Sequence, residues 1–426
     1  MLDEIYHIVR QLSGSVNSDG SITAVSDPKQ LDLANRFRTA EKETLFTHTN
    51  ISEKNHTMLE KLAGSASIAH NYANSSADLT VTTASGDKAT RQSYFYIPYL
   101  PGSPVYLKAT GVFATSKANV SQRLGIFDDN DGLFFEDDGT GMGFTRRTST
   151  SGSPVNNRVA QASWNIDALD GTGPSGVTIT DWNLLLLFWV EFLWQGAVGY
   201  RAGIVYEGVF IPVHEYFTQS TVPYIRTPSL PVRYEIENTD VAASGTTMKE
   251  VCVDIVAEGG HRLVGSDWAV SNDGTTINVG TTEEVVMVIR LKDQFNSQDN
   301  RRMVKFLQAN CFSESQDCHF RIAVIHDPTS VTGGSWVDVD STHSGIEYNI
   351  GQPTITGGDV HTFDEFTVPA SNAVAGEGFS ESRFEDTHTI VTQNIDSDNS
   401  DLIVIYGRSQ TTNTDVIVST KFLEFE

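Results

Sequence analysis

The chain has 426 residues, which is long enough for two or three domains that each bury a core. It carries 29 Lys and Arg against 54 Asp and Glu, for a formal net charge of −25. A surface this acidic repels phosphate backbones and anionic lipid headgroups, and no Lys/Arg-rich run interrupts it. Composition therefore argues against nucleic-acid binding and against docking at a membrane surface.

The three cysteines, Cys252, Cys311 and Cys318, are too few and too scattered for a disulfide framework. They suit a protein that is made in a reducing cytosol. The opening MLDEIYHIVRQLSGS has acids where a signal peptide has basic residues, and it lacks a continuous apolar core. Secretion by a signal peptide is therefore not expected.

Helical spacing marks the beginning of the chain. Apolar residues recur at this spacing in LDEIYHIVRQL (2–12) and in DPKQLDLANRFRTAEKETLF (27–46), which opens with a suitable N-cap. ISEKNHTMLEKLAG (51–64) predicts a third short helix. Because such short helices are marginal alone, we interpret residues 1–85 as a helical and extended attachment segment that packs on another surface.

After about residue 90 the hydrophobic period becomes two, which is typical of strands. The strand patterns RLGIF and LFFE flank DDNDG (128–132), a strong hairpin signal because Asn, Asp and Gly tolerate positive φ. Further strand patterns are SPVYLKATGVFAT, VGYRAGIVYEGVFIPVHEY, VRYEIEN, KEVCVDIVAEG, EEVVMVIRLK, FRIAVIHD and a closing hairpin of DLIVIYG and DVIVSTKFLEF. They predict a mainly β fold, with antiparallel β-sandwich or jelly-roll modules preceded by a short helical N-terminal attachment segment.

The segment DWNLLLLFWVEFLW (181–194) is the most apolar part of the chain. A membrane-spanning helix needs roughly 20 apolar residues, so this segment is too short and carries Glu191 inside it. We predict a central strand that is buried on both faces or nearly so. Glu191 should then lie near a strand end or meet a polar partner such as Arg201.

The polar segment NTDVAASGT (238–246) predicts a boundary between two β modules. The predicted organisation is an attachment segment (1–85), a first β-sandwich module (86–240) and a second β-sandwich module (241–426). We find no internal repeat.

Three motifs resemble ligand sites but lack a required partner. His214 opens HEYFT, which begins like a zinc-protease helix but has no second histidine at the fifth position. GTGMGF (139–144) resembles a phosphate loop without a following helix, so a hairpin turn is favoured. Asp128, Asp129 and Asp131 lack the spacing and the glutamate of an EF-hand, which favours a turn over a calcium site.

CFSESQDCH brings Cys311, Cys318 and His319 together in sequence. A zinc site would need a second ligand pair, and a Cys–His catalytic pair would need an orienting group. Neither is identifiable, so a loop with incidental thiols is favoured.

Tryptophans and carboxylates leave a sugar-binding role open. Six tryptophans could form a stacking platform, although Trp182, Trp189 and Trp194 flank or lie in the predicted buried strand. A glycosidase needs two acids across a cleft, which spacing alone does not reveal. The sequence therefore predicts no catalytic, cofactor-binding or metal-ligating residue.

Six segments resemble, in the same order, a recurrent family of virion structural proteins from tailed bacteriophages and some large DNA viruses. The resemblance runs from about Thr90 to the C-terminus, and its strongest signatures are FDDNDGLFFEDDGTG and WNIDALDGTGPSG. The other segments are TRQSYFYIPYLPGSP, VHEYF with TPSLPVRYEIEN, VIRLKDQFN and TGGSWVDVDSTHSGIEYNI. Members of this family are commonly labelled capsid, tail or fibre proteins.

The resemblance implies a non-enzymatic virion protein without a cofactor, anchored by its N-terminal segment and assembled in the host cytoplasm. It further implies a homo-oligomer, by analogy a trimer, whose partners are its own copies and other virion proteins. The alternative is a glycan-binding or glycan-cleaving receptor-recognition protein, which would use loops at one end of a β-sandwich and a host surface glycan. Neither nucleic acid nor a membrane is an expected partner.

Overall fold

The computed structural model is built almost entirely of antiparallel β-strands, and it describes residues 14–16, 22–24, 42–54, 57–258, 265–375 and 390–425. The one helical element in this part of the chain is a 3-10 turn at Gln161–Ser163. A small hairpin joins β1 (Gly14–Val16) to β2 (Ile22–Ala24). The remaining strands belong to two compact units.

Besides the β1–β2 hairpin, the first unit contains the described residues 42–54, 60–91 and 99–258, and the ends of β4 and β7 reach beyond these bounds. Its strands are β3 (Lys42–Thr49), β4 (Met58–Ala63), β5 (Ser67–Asn71), β6 (Ser76–Val81), β7 (Lys88–Ser93), β8 (Val105–Val112), β9 (Val120–Phe127), β10 (Gly132–Asp137), β11 (Met142–Thr148), β12 (Val155–Ala160), β13 (Leu186–Leu193), β14 (Gly199–Tyr206), β15 (Val209–Phe217), β16 (Val232–Asn238) and β17 (Thr246–Glu258). One sheet has the order β12-β11-β10-β9-β16-β7-β4. The other, of eight strands, has the order β15-β14-β13-β8-β17-β6-β5, with β3 also paired to β17.

The two sheets of the first unit pack face to face as a sandwich, and aromatic rings fill the space between them. Phe135 of β10 contacts Phe188 of β13, with ring centroids 5.1 Å apart. Phe144 of β11 contacts Tyr200 of β14 at 5.2 Å. All four side chains are buried. Each such ring removes a large apolar area from water, so these contacts supply much of the driving force for closing the sandwich.

The second unit contains the described residues 57–59, 92–98, 265–375 and 390–425. Its strands are β18 (Ser266–Ser271), β19 (Ile277–Val279), β20 (Glu284–Leu291), β21 (Gln294–Phe295), β22 (Gln298–Asp299), β23 (Met303–Ser313), β24 (Cys318–His326), β25 (Ser330–Thr332), β26 (Val337–Asp338), β27 (Ile346–Asn349), β28 (Thr354–Thr356), β29 (Asp359–Val368), β30 (Asn372–Ala375), β31 (Ile390–Val391), β32 (Leu402–Ser409) and β33 (Thr414–Phe425). One sheet has the order β18-β33-β23-β30, and the other has the order β26-β27-β20-β32-β24-β29. A single apolar cluster joins them, so this unit is also a sandwich.

Part of the predicted helical segment is β-structure. The expected helix over 51–64 is wrong, because residues 58–63 form strand β4. Strand β3 likewise replaces the end of the expected helix over 27–46. Pairing along β17, with a bulge that buries both Leu45 and Phe46, outweighs the local helical preference. The expected helix over 2–12 and the start of the second lie outside the described residues.

Two long strands connect differently from the sequence-based expectation. The predicted closing hairpin is wrong, because β32 pairs with β20 and β24 whereas β33 pairs with β18 and β23 of the other sheet. β32 is apolar on both faces, and its inner-face residues Ile403 and Ile405 meet Val418 of β33 in one core because the two strands lie in opposite sheets. A boundary was predicted in 238–246. In the structure, the next strand, β17, pairs with β3, β6 and β8 of the first unit.

The apolar segment 181–194 is a central strand, as predicted. β13 lies between β14 and β8, and nearly all of its side chains are buried. The strand begins at Leu186, and the preceding Leu185 is 63% exposed. No helix among the described residues is long and apolar enough to cross a membrane.

The sandwich core can be tested by truncating Phe135, which contacts Phe144, Trp164 and Phe188. We expect Phe135→Ala to lower the free energy of unfolding by about 3–5 kcal/mol, because it leaves a cavity among these rings. Guanidinium unfolding followed by tryptophan fluorescence measures the change. The matched control Val155→Ala, at an exposed edge position, should cost no more than about 0.5 kcal/mol. Equal losses for both variants would contradict this description of the core.

Candidate binding cleft on the eight-stranded sheet

Strand β13 has two different faces. Phe188, Val190 and Phe192 point into the sandwich core. Because side chains alternate along a strand, Trp189 and Glu191 point to the opposite, outer face of the eight-stranded sheet. The same strand thus anchors the core and supplies the floor of an outer surface.

The strand register decides which residues surround Trp189 and Glu191. Glu191 lies directly between Arg201 of β14 and Tyr106 of β8. Residues directly opposite in antiparallel strands have Cβ atoms about 4.5–5.5 Å apart and share a face. Arg201 therefore occupies the neighbouring position that the sequence suggested as a polar partner for Glu191. Glu191 itself is completely buried.

Trp189 and Tyr106 form the aromatic part of this surface. Their ring centroids are 5.7 Å apart, with the planes tilted by 35°. The indole N–H of Trp189 donates to the carbonyl oxygen of Ile204 at 3.2 Å, which fixes the ring across β14. Gly203 lies beneath the ring: a Cβ atom added there would be 2.4 Å from Trp189 Cζ2. Glycine at this position is therefore what allows the indole to lie flat on the sheet.

Charged side chains of both signs surround the two rings. Lys108 forms an ion pair with Asp254, and Arg201 donates from Nε to Glu215 at 3.1 Å. The ammonium of Lys42 lies 5.8 Å from the centre of the Tyr106 ring, within the range of a cation–π contact. Hydrogen-bond donors and acceptors therefore alternate around an aromatic centre.

These residues enclose an open cleft with a volume of about 470 Å³. A two-residue turn at Glu207 and Gly208, both with positive φ, brings the tip of the β14–β15 hairpin to its rim. Val209 and Phe210 follow this turn and are 51% and 40% exposed. We call this site the aromatic cleft; its lining is Lys42, Tyr106, Lys108, Trp189, Glu191, Arg201, Gly208, Val209, Phe210 and Pro212.

A second cavity, of about 540 Å³, adjoins the aromatic cleft at the same hairpin. It shares Val209, Phe210 and Pro212 with the cleft, and its far wall is the segment 166–177. Apart from Val177, this wall lies within the sequence signature WNIDALDGTGPSG (164–176). Buried Asp167 holds the wall in shape by accepting hydrogen bonds from the backbone N–H groups of Leu169 and Ser175. The two cavities meet at the residues that they share, and we refer to them together as the groove.

The three motifs that resemble ligand sites have structural roles. His214 lies in β15 near the Phe144 and Tyr200 rings, and burial lowers its pKa. The predicted turn at DDNDG is confirmed, with Asp128 accepting from the N–H groups of Asn130 and Asp131. GTGMGF spans the tight turn between β10 and β11, as predicted. Among the described residues, no group of three His, Cys, Asp or Glu could hold a metal ion.

The interpretation of CFSESQDCH as a loop is wrong for both cysteines, because Cys311 lies inside β23 and Cys318 is the first residue of β24. Both thiols are buried in the second sandwich. Burial raises the pKa of Cys318 to about 11 and that of Cys311 still further. Neither thiol has the thiolate character that nucleophilic catalysis requires.

The sequence placed Trp182, Trp189 and Trp194 in or beside the buried strand. Trp182 packs in the sandwich core against Phe188 and Trp164. Trp189 is equally buried, at 5% exposure, but it lies on the other face of β13 in a small cluster with Tyr106 and Val256. Trp189 faces the aromatic cleft. The residues that sequence reasoning missed are Tyr106, Lys108 and Phe210, which no motif marks. The available signal was the strand alternation itself, which places Trp189 and Glu191 on one face.

Comparisons with known proteins do not identify a family. No protein-family model matches the sequence, and no curated protein matches it. The viral family suggested by the sequence resemblance is therefore not established by sequence comparison.

Solved structures similar to about half of the chain are β-rich. One is the CBM2 module of the evolved Dit protein of Lactobacillus casei BL23 phage J-1, with 5% identity and a TM-score of 0.36, covering 52% of this chain and 98% of that one. Another is a β-glucanase-like protein from Mycobacterium abscessus, with 11% identity and a TM-score of 0.35, covering 50% and 100%. A third is a lectin from Bauhinia forficata in complex with GalNAc, with 9% identity and a TM-score of 0.32, covering 52% and 100%.

The position of the Trp189 ring can be tested at Gly203. We expect Gly203→Val to displace the indole and to cost about 1–3 kcal/mol of unfolding free energy, because the added side chain overlaps both the ring and the backbone carbonyl oxygen of Ile211. Near-ultraviolet circular dichroism should report the changed tryptophan environment. Gly280→Ala is the control, since its new methyl group would meet only side-chain oxygens, the nearest at 3.4 Å. An unchanged tryptophan spectrum in folded Gly203→Val would contradict the geometry.

Proposed function

We propose that this chain is a carbohydrate-binding protein and that the aromatic cleft is its binding site. The observation that carries the proposal is the open cleft whose floor contains the largely buried Tyr106 and Trp189 rings and whose rim carries the more exposed Phe210. Paired acids and bases surround these rings. A sugar ring has apolar C–H faces and a rim of hydroxyl groups. Aromatic rings match the faces, while alternating donors and acceptors match the hydroxyls.

The dimensions and chemistry of the groove favour an oligosaccharide over a single small molecule. Ligand pockets commonly range from about 300 to 1,000 Å³, and the cleft and its neighbouring cavity each fall within that range. Phe210 borders both and is partly exposed, so it can contact two successive sugar units.

We further propose that binding is not followed by cleavage. Glycoside hydrolysis needs two carboxyl groups on either side of the bond. Glu191 is the one carboxylate among the residues that line the cleft, and nearby Asp254 and Glu215 are held in ion pairs. The adjoining cavity adds Glu207 at the hairpin turn and the buried Asp167, which is held by backbone N–H groups. The arrangement supports recognition rather than acid–base chemistry.

The cleft can be tested with a glycan array followed by calorimetry on the hits. We expect the full chain to bind one class of glycan, and Phe210→Ser and Tyr106→Ala each to weaken binding by about tenfold or more, the equivalent of 1.4 kcal/mol. Tyr72→Ser is the matched control, because Tyr72 is an exposed aromatic residue outside the cleft and should leave affinity unchanged.

Two results would contradict these proposals. Affinity unchanged in folded Tyr106→Ala and Phe210→Ser would move the binding site away from the cleft. Release of reducing sugar from the bound glycan would contradict the non-enzymatic role.

A second proposal is that the protein is a structural component of a virus particle, displayed as a capsid decoration, tail or fibre part. The sequence signatures FDDNDGLFFEDDGTG and WNIDALDGTGPSG support it, because they resemble virion proteins. In the structure these signatures form a tight hairpin and the wall beside the aromatic cleft. This proposal includes a location in the virion, assembly of the chain into a homo-oligomer such as a trimer, and contacts with other virion proteins.

Particle display predicts stoichiometric copies of the protein in purified particles, measured by quantitative mass spectrometry. Of the described strands, deletion of residues 1–41 removes only β1 and β2, which pair with each other and belong to neither sandwich, so the truncated protein should still fold. If this segment is the anchor, the truncated protein should be absent from particles while remaining soluble in the lysate. Normal incorporation of the truncated protein would remove the anchoring role, and absence of the full chain from particles would remove the virion proposal.

A further inference from the structure

A second charged surface lies on the outer face of the seven-stranded sheet in the first unit. Arg123 of β9 donates from Nε to Glu136 of β10 at 2.8 Å and from Nη1 to Glu235 of β16 at 2.5 Å. Lys88 of β7 continues this row with an ion pair of 3.0 Å to Glu235. Neighbouring strands thus contribute side chains of opposite charge, and these side chains form ion pairs with one another along the row.

Arg147 of β11 lies on the same face and differs from these cations. Its Nε donates to the side-chain oxygen of Asn156 at 2.9 Å, and its Nη1 donates to the backbone carbonyl of Asp128 at 2.8 Å. Its guanidinium also lies over the Phe134 ring, 5.0 Å from the centroid. All of these partners are neutral. Within the described part of the chain, no carboxylate forms an ion pair with Arg147.

The environment of Arg147 makes this absence costly. The side chain is only 8% exposed, and burying a charge without a counter-charge is unfavourable. Burial, together with the positive charge of Arg123, lowers the pKa of Arg147, and the more distant carboxylates of Glu235 and Asp129 offset only part of this effect.

Arg147 lines a cavity of about 350 Å³, and the other charged side chains of this cavity form ion pairs. Of the cations that line it, Lys88 and Arg123 are ion-paired. Three acids also line the cavity, and each of them is ion-paired. Asp129 pairs with Arg233, which is outside the lining, at 2.6 Å, and Glu235 and Glu237 both pair with Arg123. Asn156 is exposed beside Arg147 and can supply a neutral hydrogen-bonding group.

We propose that this cavity binds a single oxyanion of the sulfate or carboxylate type, received by the Arg147 guanidinium with Asn156 and Lys88 at its sides. An oxyanion would supply the missing counter-charge, and guanidinium groups bind such anions with directed, charge-assisted hydrogen bonds. The site is independent of the aromatic cleft, which lies on the other sheet. The anion can be a free ion or the acidic group of a sugar, since both present the same chemistry.

Isothermal titration calorimetry on the full chain at constant ionic strength tests the site, with sodium sulfate, sodium glucuronate and uncharged glucose as ligands. We expect saturable binding of sulfate or glucuronate with one site per chain and no heat from glucose. Stronger binding of glucuronate would indicate an acidic sugar as the source of the anion, and stronger binding of sulfate would indicate a free ion or a sulfate ester.

Arg147→Gln should weaken anion binding by about tenfold or more, because it removes a charge-assisted contact. Arg158→Gln is the matched control: it removes an equal charge from the same sheet face, where Arg158 pairs with Asp138 at 3.1 Å, and it should leave affinity within about twofold. If Arg147→Gln does not fold, Asn156→Ala at an exposed position should weaken binding by about threefold.

Equal losses in Arg147→Gln and Arg158→Gln would show a general effect of surface charge and would overturn the assignment. The absence of any saturable anion binding by the wild-type chain would overturn the site itself. Neither result bears on glycan binding at the aromatic cleft, which the Tyr106 and Phe210 variants test separately.

Discussion

The alternation of side chains along β13 is the constraint on which the first unit depends. One face of the strand brings Phe188 and its neighbours into a core of packed rings, and this contact holds the two sheets together. Fixing that face also fixes the other, because a shift of one residue would exchange the two faces. Packing on the inner face therefore holds Trp189 and Glu191 in place on the outer face of the sheet, where both side chains are largely buried. The position of the aromatic cleft is a consequence of how the core is filled.

An acidic chain must also manage the charges that its sheets bring together. On the outer face of the seven-stranded sheet, burial alone would raise the pKa of Glu235, but the positive charges of Arg123 and Arg233 lower it strongly. The carboxylate is therefore kept charged in a largely water-excluded position. A net charge of −25 opposes folding because like charges repel one another. Ion pairs between neighbouring strands reduce this repulsion within the sheet. Arg147 is the exception in this arrangement, which is why it points to a ligand.

The sequence predicted much of the fold because strand alternation and turn residues are local signals. The strands around DDNDG and the buried strand at 186–193 are examples. Strand β4 was mistaken for a helix because its pairing partners are distant in sequence. The same limit explains the aromatic cleft: Tyr106 and Arg201 become neighbours of Glu191 only through the register of three strands. No motif encodes that register. The sequence did indicate that Glu191 is unusual, because it is a charged residue within an apolar segment.

We propose that a glycan bound in the aromatic cleft contacts Trp189 on the outer face of the eight-stranded sheet. The most direct measurement is nuclear magnetic resonance of the indole N–H groups, of which the chain has six, during titration with a glycan that binds the protein. Our account predicts a saturable shift of the Trp189 signal, whose N–H is held by the Ile204 carbonyl, with Trp268 and Trp336 of the second unit unchanged. A shift confined to Trp268 or Trp336, with Trp189 unaffected at saturation, would contradict it.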